Sequence, residues 1–291
     1  MSKKSVATIV NFCTNDIRFI KANLEEALKF SSQVIVPVCD HFFDGTPENR
    51  ELLNEVYGAF PKCTFVEYPY LPGKLKAVNY WHSLSRLLGA ECLDPTIEKV
   101  LFLDADEVVD GDRFNQWFET AEDFPVMKLA NYWYFREPIY QSKTFEDSSI
   151  LIDKKLLNPR ALFRKEERDA LYDLFSGRKK RMVFGTDGTP MIHHYSWVRT
   201  KTEMLKKVKA WGHHKDKDWE SLVNKEFSGA FDGKDFVHGY TYTTVPSRLE
   251  TNPTFKKKAT SNVLRVTEKE VKRAIKKGKG SFWSLILRKF L

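Results

Sequence analysis

An α/β fold, with a mostly parallel central sheet flanked by helices, is predicted for this chain by three observations. Short β-branched apolar runs alternate with helix-period segments through roughly the first hundred residues. Acidic residues fall at the carboxyl ends of those runs, where ligands of such sheets gather. With 291 residues, 42% hydrophobic and 14% aromatic, the chain can bury one large core.

Ser5 to Phe12 reads as the first strand, and Asn15-Asp16 can cap a helix whose apolar positions Phe19, Ile20, Leu24, Ala27 and Leu28 follow a helical period. A second strand runs from Gln33 to Cys39 and ends at Asp40. The turn residues Asp44-Gly45-Thr46-Pro47 then open a helix through about Phe60. Thr64 to Tyr68 reads as a third strand, Lys74 to Leu88 as a helix and Lys99 to Leu103 as a fourth strand. A helix near Arg113 to Ala121 and a strand from Val126 to Phe135 follow. Arg160 to Arg164 and Met191 to Tyr195 read as shorter strands. The second half is less regular, and basic composition sets in from about Val245, with a helical pattern from Thr267 to Lys277. The domain boundaries expected are therefore 1–245 for the main domain, with halves of about 1–135 and 136–245, and 246–291 for a basic C-terminal tail.

The four cysteines, Cys13, Cys39, Cys63 and Cys92, lack the paired short spacing of a structural zinc site and read as reduced thiols in a cytoplasmic setting. No apolar run approaches the roughly 20 residues that span a bilayer, and the N-terminus leads straight into a strand rather than a signal peptide. A net charge of +8 suits an anionic partner, but the lysines are interleaved with acids and no nucleic-acid-binding motif occurs, so no nucleic acid is expected.

The chemistry concentrates in Leu101-Phe102-Leu103-Asp104-Ala105-Asp106-Glu107. An apolar strand delivers two carboxylates two positions apart, so that both can point to one side of the chain. Hard oxygen donors there suit Mg²⁺ or Mn²⁺, with further coordination positions left for diphosphate oxygens. Asp-x-Asp alone also occurs by chance at surface strand ends. Its position after a strand–helix–strand start, with Asp40 at the second strand end, is what gives it weight.

In this setting residues 5 to about 135 resemble the nucleotide-binding half of GT-A glycosyltransferases, in particular the family-2-like group. The resemblance implies that Asp104 and Asp106 hold a divalent metal and the diphosphate of a UDP- or GDP-linked sugar donor, and that Asp40 contacts the nucleoside. Lys76 and Asn79, in the segment Gly73 to Asn79, are implied to lie near the donor. The group's usual Asp-Asp-Gly-Ser cluster is not intact here. Further along, Ile192-His193-His194-Tyr195 resembles the late His-Tyr segment of metal-dependent relatives. Strand geometry lets one histidine face the cleft, and His194 is the expected metal ligand, suited to Mn²⁺.

An inverting transferase needs a carboxylate base, and Asp187, in a glycine-flanked loop, leads Glu137 and Asp173 as the candidate. An ordinary Asp-Gly turn explains Asp187 equally well. His213-His214 read as the cap of a basic helix. In Asn131 to Glu137, alternate aromatics fit either a buried core or a sugar platform, and Trp133 is expected to border the acceptor, which is a glycan, a lipid-linked sugar or a protein. The lysine-rich tail, with Phe282 to Leu287 beside it, suggests peripheral contact with an anionic membrane or a terminal helix packed on the domain. The competing functions are a nucleotidyltransferase of similar fold, disfavoured by the absence of glycine after the first strand, and a non-catalytic basic membrane- or nucleic-acid-binding protein. A haloacid-dehalogenase-like phosphatase also uses Asp-x-Asp, but near the domain start rather than after three strands.

Overall fold

The computed structural model describes residues 4–42, 44–73, 79–164, 166–175, 177–210, 217–250, 253–256 and 262–279. In chain order the elements are β1 (Val6–Asn11), α1 (Ile17–Phe30), β2 (Gln33–Cys39), α2 (Arg50–Ala59), β3 (Thr64–Tyr68), α3 (Asn79–Glu91), β4 (Lys99–Asp104), β5 (Glu107–Val109), α4 (Gly111–Thr120), β6 (Val126–Phe135) and β7 (Tyr140–Asp153). The second half continues with α5 (Pro159–Leu162), α6 (Arg168–Asp173), β8 (Lys179–Val183), β9 (Ile192–Trp197), α7 (Lys201–Ala210), α8 (Trp219–Glu226), β10 (Tyr242–Thr244), β11 (Asn262–Arg265) and α9 (Glu268–Gly278).

These strands form one mixed sheet in the order β11-β3-β2-β1-β4-β7-β6-β9-β5, with β10 paired to β7 and β8 to β6. From β11 to β4 every pairing is parallel. β7 then runs antiparallel to β4 and β6, and β5 antiparallel to β9. A parallel sheet needs cover on both faces, and the sequence supplies it by alternation. Val34, Val36, Val38, Leu101 and Leu103 face α1, α2 and α4, whereas Ile35, Val100 and Phe102 face α3, α5, α6 and α9.

Helix starts are set by local chemistry. Asn49 caps α2, Asp110 caps α4, and Thr267 with Glu270 forms a capping box on α9. The Asn158 cap followed by Pro159 turns 159–162 into a short helix, which replaces the strand expected at Arg160 to Arg164. Asp16 precedes α1 without capping it through its side chain. The stretch expected as a C-terminal appendage is, over 262–279, built into the fold. There β11 pairs with β3 at the sheet edge, and α9 buries Val271, Ala274 and Ile275. Among the described residues no helix is long and apolar enough to cross a membrane.

Candidate active site

The carboxyl end of β4 leads into the candidate residues Asp104 and Asp106, and its backbone is held by one side chain from α1. The Asn23 amide donates to the carbonyls of Asp104, Ala105 and Glu107, at 3.1, 3.3 and 2.8 Å. Strand geometry stops at Asp104, so the two aspartates do not face one way as alternation predicts. Asp104 turns toward α3 and α6, whereas Asp106 turns toward β9.

Both oxygens of Asp104 are taken by arginine. Arg86 of α3, almost fully buried, donates to Oδ1 at 2.6 Å, and Arg168 of α6 donates to Oδ2 at 3.0 Å. Arg86 also pairs with Glu167, and Arg168 with the wholly buried Glu107 at 2.6 Å. Burial pushes the Asp104 carboxyl up. Arg86 and Arg168, with His82 and His194, more than offset this and hold it well below the usual carboxylate range.

Asp106 is the opposite case. Its carboxylate takes no hydrogen bond from any described residue, and His194 Nε2 at 3.7 Å and Arg199 Nη2 at 3.8 Å lie beside it. Burial therefore dominates, and although His194 opposes it, the Asp106 carboxyl is raised. Register explains the meeting: β5 pairs with β9 so that Glu107 lies opposite His194, and Tyr195 N–H donates to the Asp106 carbonyl at 2.8 Å. His193 points the other way. It sits among Tyr132, Tyr134 and Tyr195, accepts or donates at Nδ1 with Tyr134 OH at 2.8 Å, and is held neutral by burial down to about 3.

Cations close the far side. Arg199 bonds Asp16 at 2.5 Å, and Lys207 of α7 donates to the Ser196 carbonyl and hydroxyl at 2.7 and 2.6 Å. Burial and the neighbouring Arg199 pull Lys207 down to about 8, against the opposing pull of Asp106 and Asp16. At the end of β2, Asp40 accepts from Tyr70 N–H and pairs with His41 Nδ1, both at 2.7 Å. His41, Tyr70 and Trp81 form a ring series there, and Lys206 reaches over Phe42.

The other expected site residues lie elsewhere. Asp187 is bound at its turn by Arg113 at 2.6 Å and by Thr189 N–H at 3.1 Å. Glu137 is exposed after β6, and Asp173 is exposed beside Lys179. Among the described residues, Asp187 pairs with Arg113 and Asp173 with Lys179, rather than with Asp104, Asp106 or His194. Trp133 is buried rather than bordering solvent, and the half-exposed ring of its strand is Tyr132. Asn79 opens α3. Lys76, His213-His214 and the tail segment Phe282 to Leu291 lie outside the described residues.

Donor chemistry fits a divalent cation in part. Asp106 offers a carboxylate that takes no hydrogen bond from any described residue, with His194 Nε2 at 3.7 Å, a pair suited to Mn²⁺. Asp104, with two guanidinium groups on it, does not join them, and no group of three or more His, Cys, Asp or Glu among the described residues is arranged to hold a metal ion.

No protein-family model matches the chain. Over 93 residues it is 31% identical to the deoxynucleoside-5'-monophosphate kinase of Escherichia phage T5, a stretch that is 30% of this chain and 35% of that protein. The chain thus spans only about a third of the length of that curated relative. The Gly-x-x-x-x-Gly-Lys-Ser/Thr phosphate loop of many kinases occurs nowhere in this sequence. Among solved structures, the 4-diphosphocytidyl-2C-methyl-D-erythritol synthase of Anaerococcus prevotii is similar at a TM-score of 0.43 and 12% identity, covering 70% of this chain and 94% of that one. The glycosyltransferase GlyE of Streptococcus pneumoniae is similar at 0.40 and 14%, covering 77% and 64%. The galactosyltransferase LgtC, with donor and acceptor sugar analogues, is similar at 0.39 and 14%, covering 75% and 95%. All three likenesses are distant.

Proposed function

We propose that the protein is a glycosyltransferase of the GT-A kind, moving a sugar from a nucleoside-diphosphate donor to an acceptor hydroxyl. The observation that carries this reading is Asp106, a buried carboxylate that takes no hydrogen bond from any described residue, set beside His194 just past the carboxyl end of a parallel strand. A buried carboxylate short of hydrogen bonds is costly, and such costs persist where a ligand completes the site. Asp106 and His194 would hold a divalent cation, whose bound charge would offset that of the leaving diphosphate. Lys207 and Arg199 stand on the same side and add fixed positive charge for the phosphates. Asp40, with the rings of His41 and Tyr70, is suited to the nucleoside, one face on an aromatic surface and one polar edge on the carboxylate. Asp104 acts on this reading as a structural anchor whose charge Arg86 and Arg168 hold in place.

Thermal unfolding with UDP, GDP and their sugar conjugates, with and without Mn²⁺, tests the reading. A ligand at a hundredfold excess over its Kd stabilises the native state by about 2.7 kcal/mol. We expect one nucleoside diphosphate to raise the Tm more with Mn²⁺ than without, and Asp106→Asn to abolish that Mn²⁺-dependent increment while preserving the far-ultraviolet spectrum. If no nucleoside diphosphate shifts the Tm of the wild-type protein, the reading fails.

A further inference from the structure

The sequence offers Asn15 and Asp16 as the cap of α1, and the structure turns both to another use. Asp16 precedes the helix without capping it and accepts from Arg199 Nη2 at 2.5 Å. Asn15 takes Lys206 Nζ on its side-chain oxygen at 2.7 Å and Arg199 Nη1 on its carbonyl at 3.4 Å. The turn after β1 thus anchors two basic side chains from the second half of the chain. One of them, Arg199, stands 3.8 Å from Asp106.

The turn is itself held from a third segment. Glu48, in the loop between β2 and α2, is 6% exposed and lays its carboxylate on Thr14, accepting from the backbone N–H at 3.2 Å and from the hydroxyl at 2.5 Å. Asn49 N–H adds a bond at 3.2 Å, and the N–H of Glu48 donates to the Asp40 carbonyl at 3.1 Å. Among the described residues no lysine, arginine or histidine pairs with this carboxylate. Burial pushes it up in spite of the bonds from Thr14. A buried carboxylate without a counter-charge is costly, whereas Asn15 or Asp16 could cap the turn locally without that cost. What the costlier arrangement gains is the freedom of Asn15 and Asp16 to hold cations. Since β1 lies between β2 and β4, the turn stands between Asp40 on one side and Asp104 to Asp106 on the other.

We propose that Glu48 is a positioning residue for the donor diphosphate: by pinning Thr14 it fixes the turn that holds Arg199 beside Asp106, without touching the ligand. The role rests on the transferase reading above and adds to it a residue outside the phosphate-facing set. It also predicts a split between ligands. The diphosphate depends on Arg199 and hence on Glu48, whereas a bare nucleoside at Asp40 does not.

The test titrates full-length wild-type protein, Glu48→Gln, Thr14→Val and the double variant with UDP and GDP in the presence of Mn²⁺, by calorimetry. Saturation-transfer NMR follows uridine and guanosine on the same four proteins. Both substitutions keep side-chain volume and weaken one shared contact from opposite ends. Thr14→Val leaves the carboxylate and the backbone N–H in place, so it tests the role even if Glu48→Gln does not fold. We expect the diphosphate that binds the wild-type protein to bind each single variant about tenfold more weakly, because the contact joins a charged group. The double variant should be no weaker than the singles, and the matching nucleoside should bind all four proteins alike. Equal diphosphate affinity in all four overturns the proposal. So does a loss that multiplies in the double variant, or one that falls equally on the nucleoside, since either marks general damage to the site. A wild-type protein that binds neither diphosphate sinks the transferase reading and this role with it, whereas a wild-type protein that binds no better than the variants sinks the role alone.

Discussion

Arg86 lies almost wholly out of solvent, with one guanidinium arm on Asp104 and the other on Glu167. Taking such a group out of water costs several kcal/mol, and the pair repays it only while both partners remain. Removal of one partner should therefore be far worse than an exposed ion pair suggests, because Asp104 and Glu167 would keep their charge without the buried counter-charge. We expect Arg86→Met, of similar volume and chain length, to lower the unfolding free energy by about 3–5 kcal/mol, a large share of the usual ~5–15 kcal/mol. Urea denaturation at neutral pH measures this. A loss below about 1 kcal/mol, the range of a surface pair, would show that Arg86 does not anchor the end of β4. Arg168 differs in kind: it also serves Glu107, which has no exposed surface and keeps one oxygen, Oε1, unpartnered.

At the scale of elements, one acid ties three strands together. Asp147 of β7 accepts from Lys128 of β6 at 3.3 Å and from Arg181 of β8 at 2.8 and 2.9 Å, and Lys128 also pairs with Asp169 of α6. Burial raises the Asp147 carboxyl, but Arg181 and Lys128 outweigh it and leave it below its ordinary 3.8. A lowered folded-state value means stability that is present above the unfolded value and lost as pH falls through the folded one. Stability should thus decline below about pH 4, and Asp147→Asn should flatten part of that decline while costing roughly 3 kcal/mol at neutral pH, since Lys128 is left buried and half-paired. Guanidinium titrations at pH 3, 4, 5 and 7 check both; an unchanged slope in the variant would assign the acid sensitivity to other carboxyls. Such ties also explain what the sequence conceals. Strands β1, β2 and β4 of the parallel half are legible because two covered faces demand near-continuous apolar residues. β7 is hidden because Tyr140 to Ser149 is polar and half exposed, and β8 because its Lys179 and Arg181 find their acids on α6 and β7. In the site, Asp106 and His194 are legible as local motifs, and the structure sets them side by side. Arg86, Arg168, Arg199 and Lys207 are not, since on sequence a basic residue on a helix looks solvated until its acid arrives from a distant segment.

The whole molecule is closed by its second half folding back on its first. Arg18 reaches Glu203, Lys21 reaches Glu250, and Arg248 reaches Asp110, at 3.0, 2.8 and 2.8 Å. The return is completed by α9, whose apolar side joins the core face shared by α3, α5 and α6, and whose Lys277 pairs with Glu91 of α3 at 2.5 Å. The contact is tightest at Gly278, the last residue of α9. A methyl group there would lie 2.4 and 2.6 Å from Cγ and Cβ of Phe163, a buried ring just after α5. Two effects then compete in Gly278→Ala. Helix propensity favours alanine by about 1 kcal/mol, whereas forcing a methyl into a packed contact costs about 1–3 kcal/mol. Because Cβ of Phe163 cannot swing away without the backbone of α5 moving, packing should win, and Gly278→Ala should lower the Tm by a few degrees, about 2–4 °C per kcal/mol for a chain this large. Phe163→Ala combined with Gly278→Ala should cost less than the sum of the two single losses, since Phe163→Ala removes Cγ, the atom nearest the added methyl. Scanning calorimetry on the single and double variants decides between the effects. A Tm equal to or above wild type in Gly278→Ala would mean that α9 rests loosely on the domain and that the close approach to Phe163 is not a packing constraint.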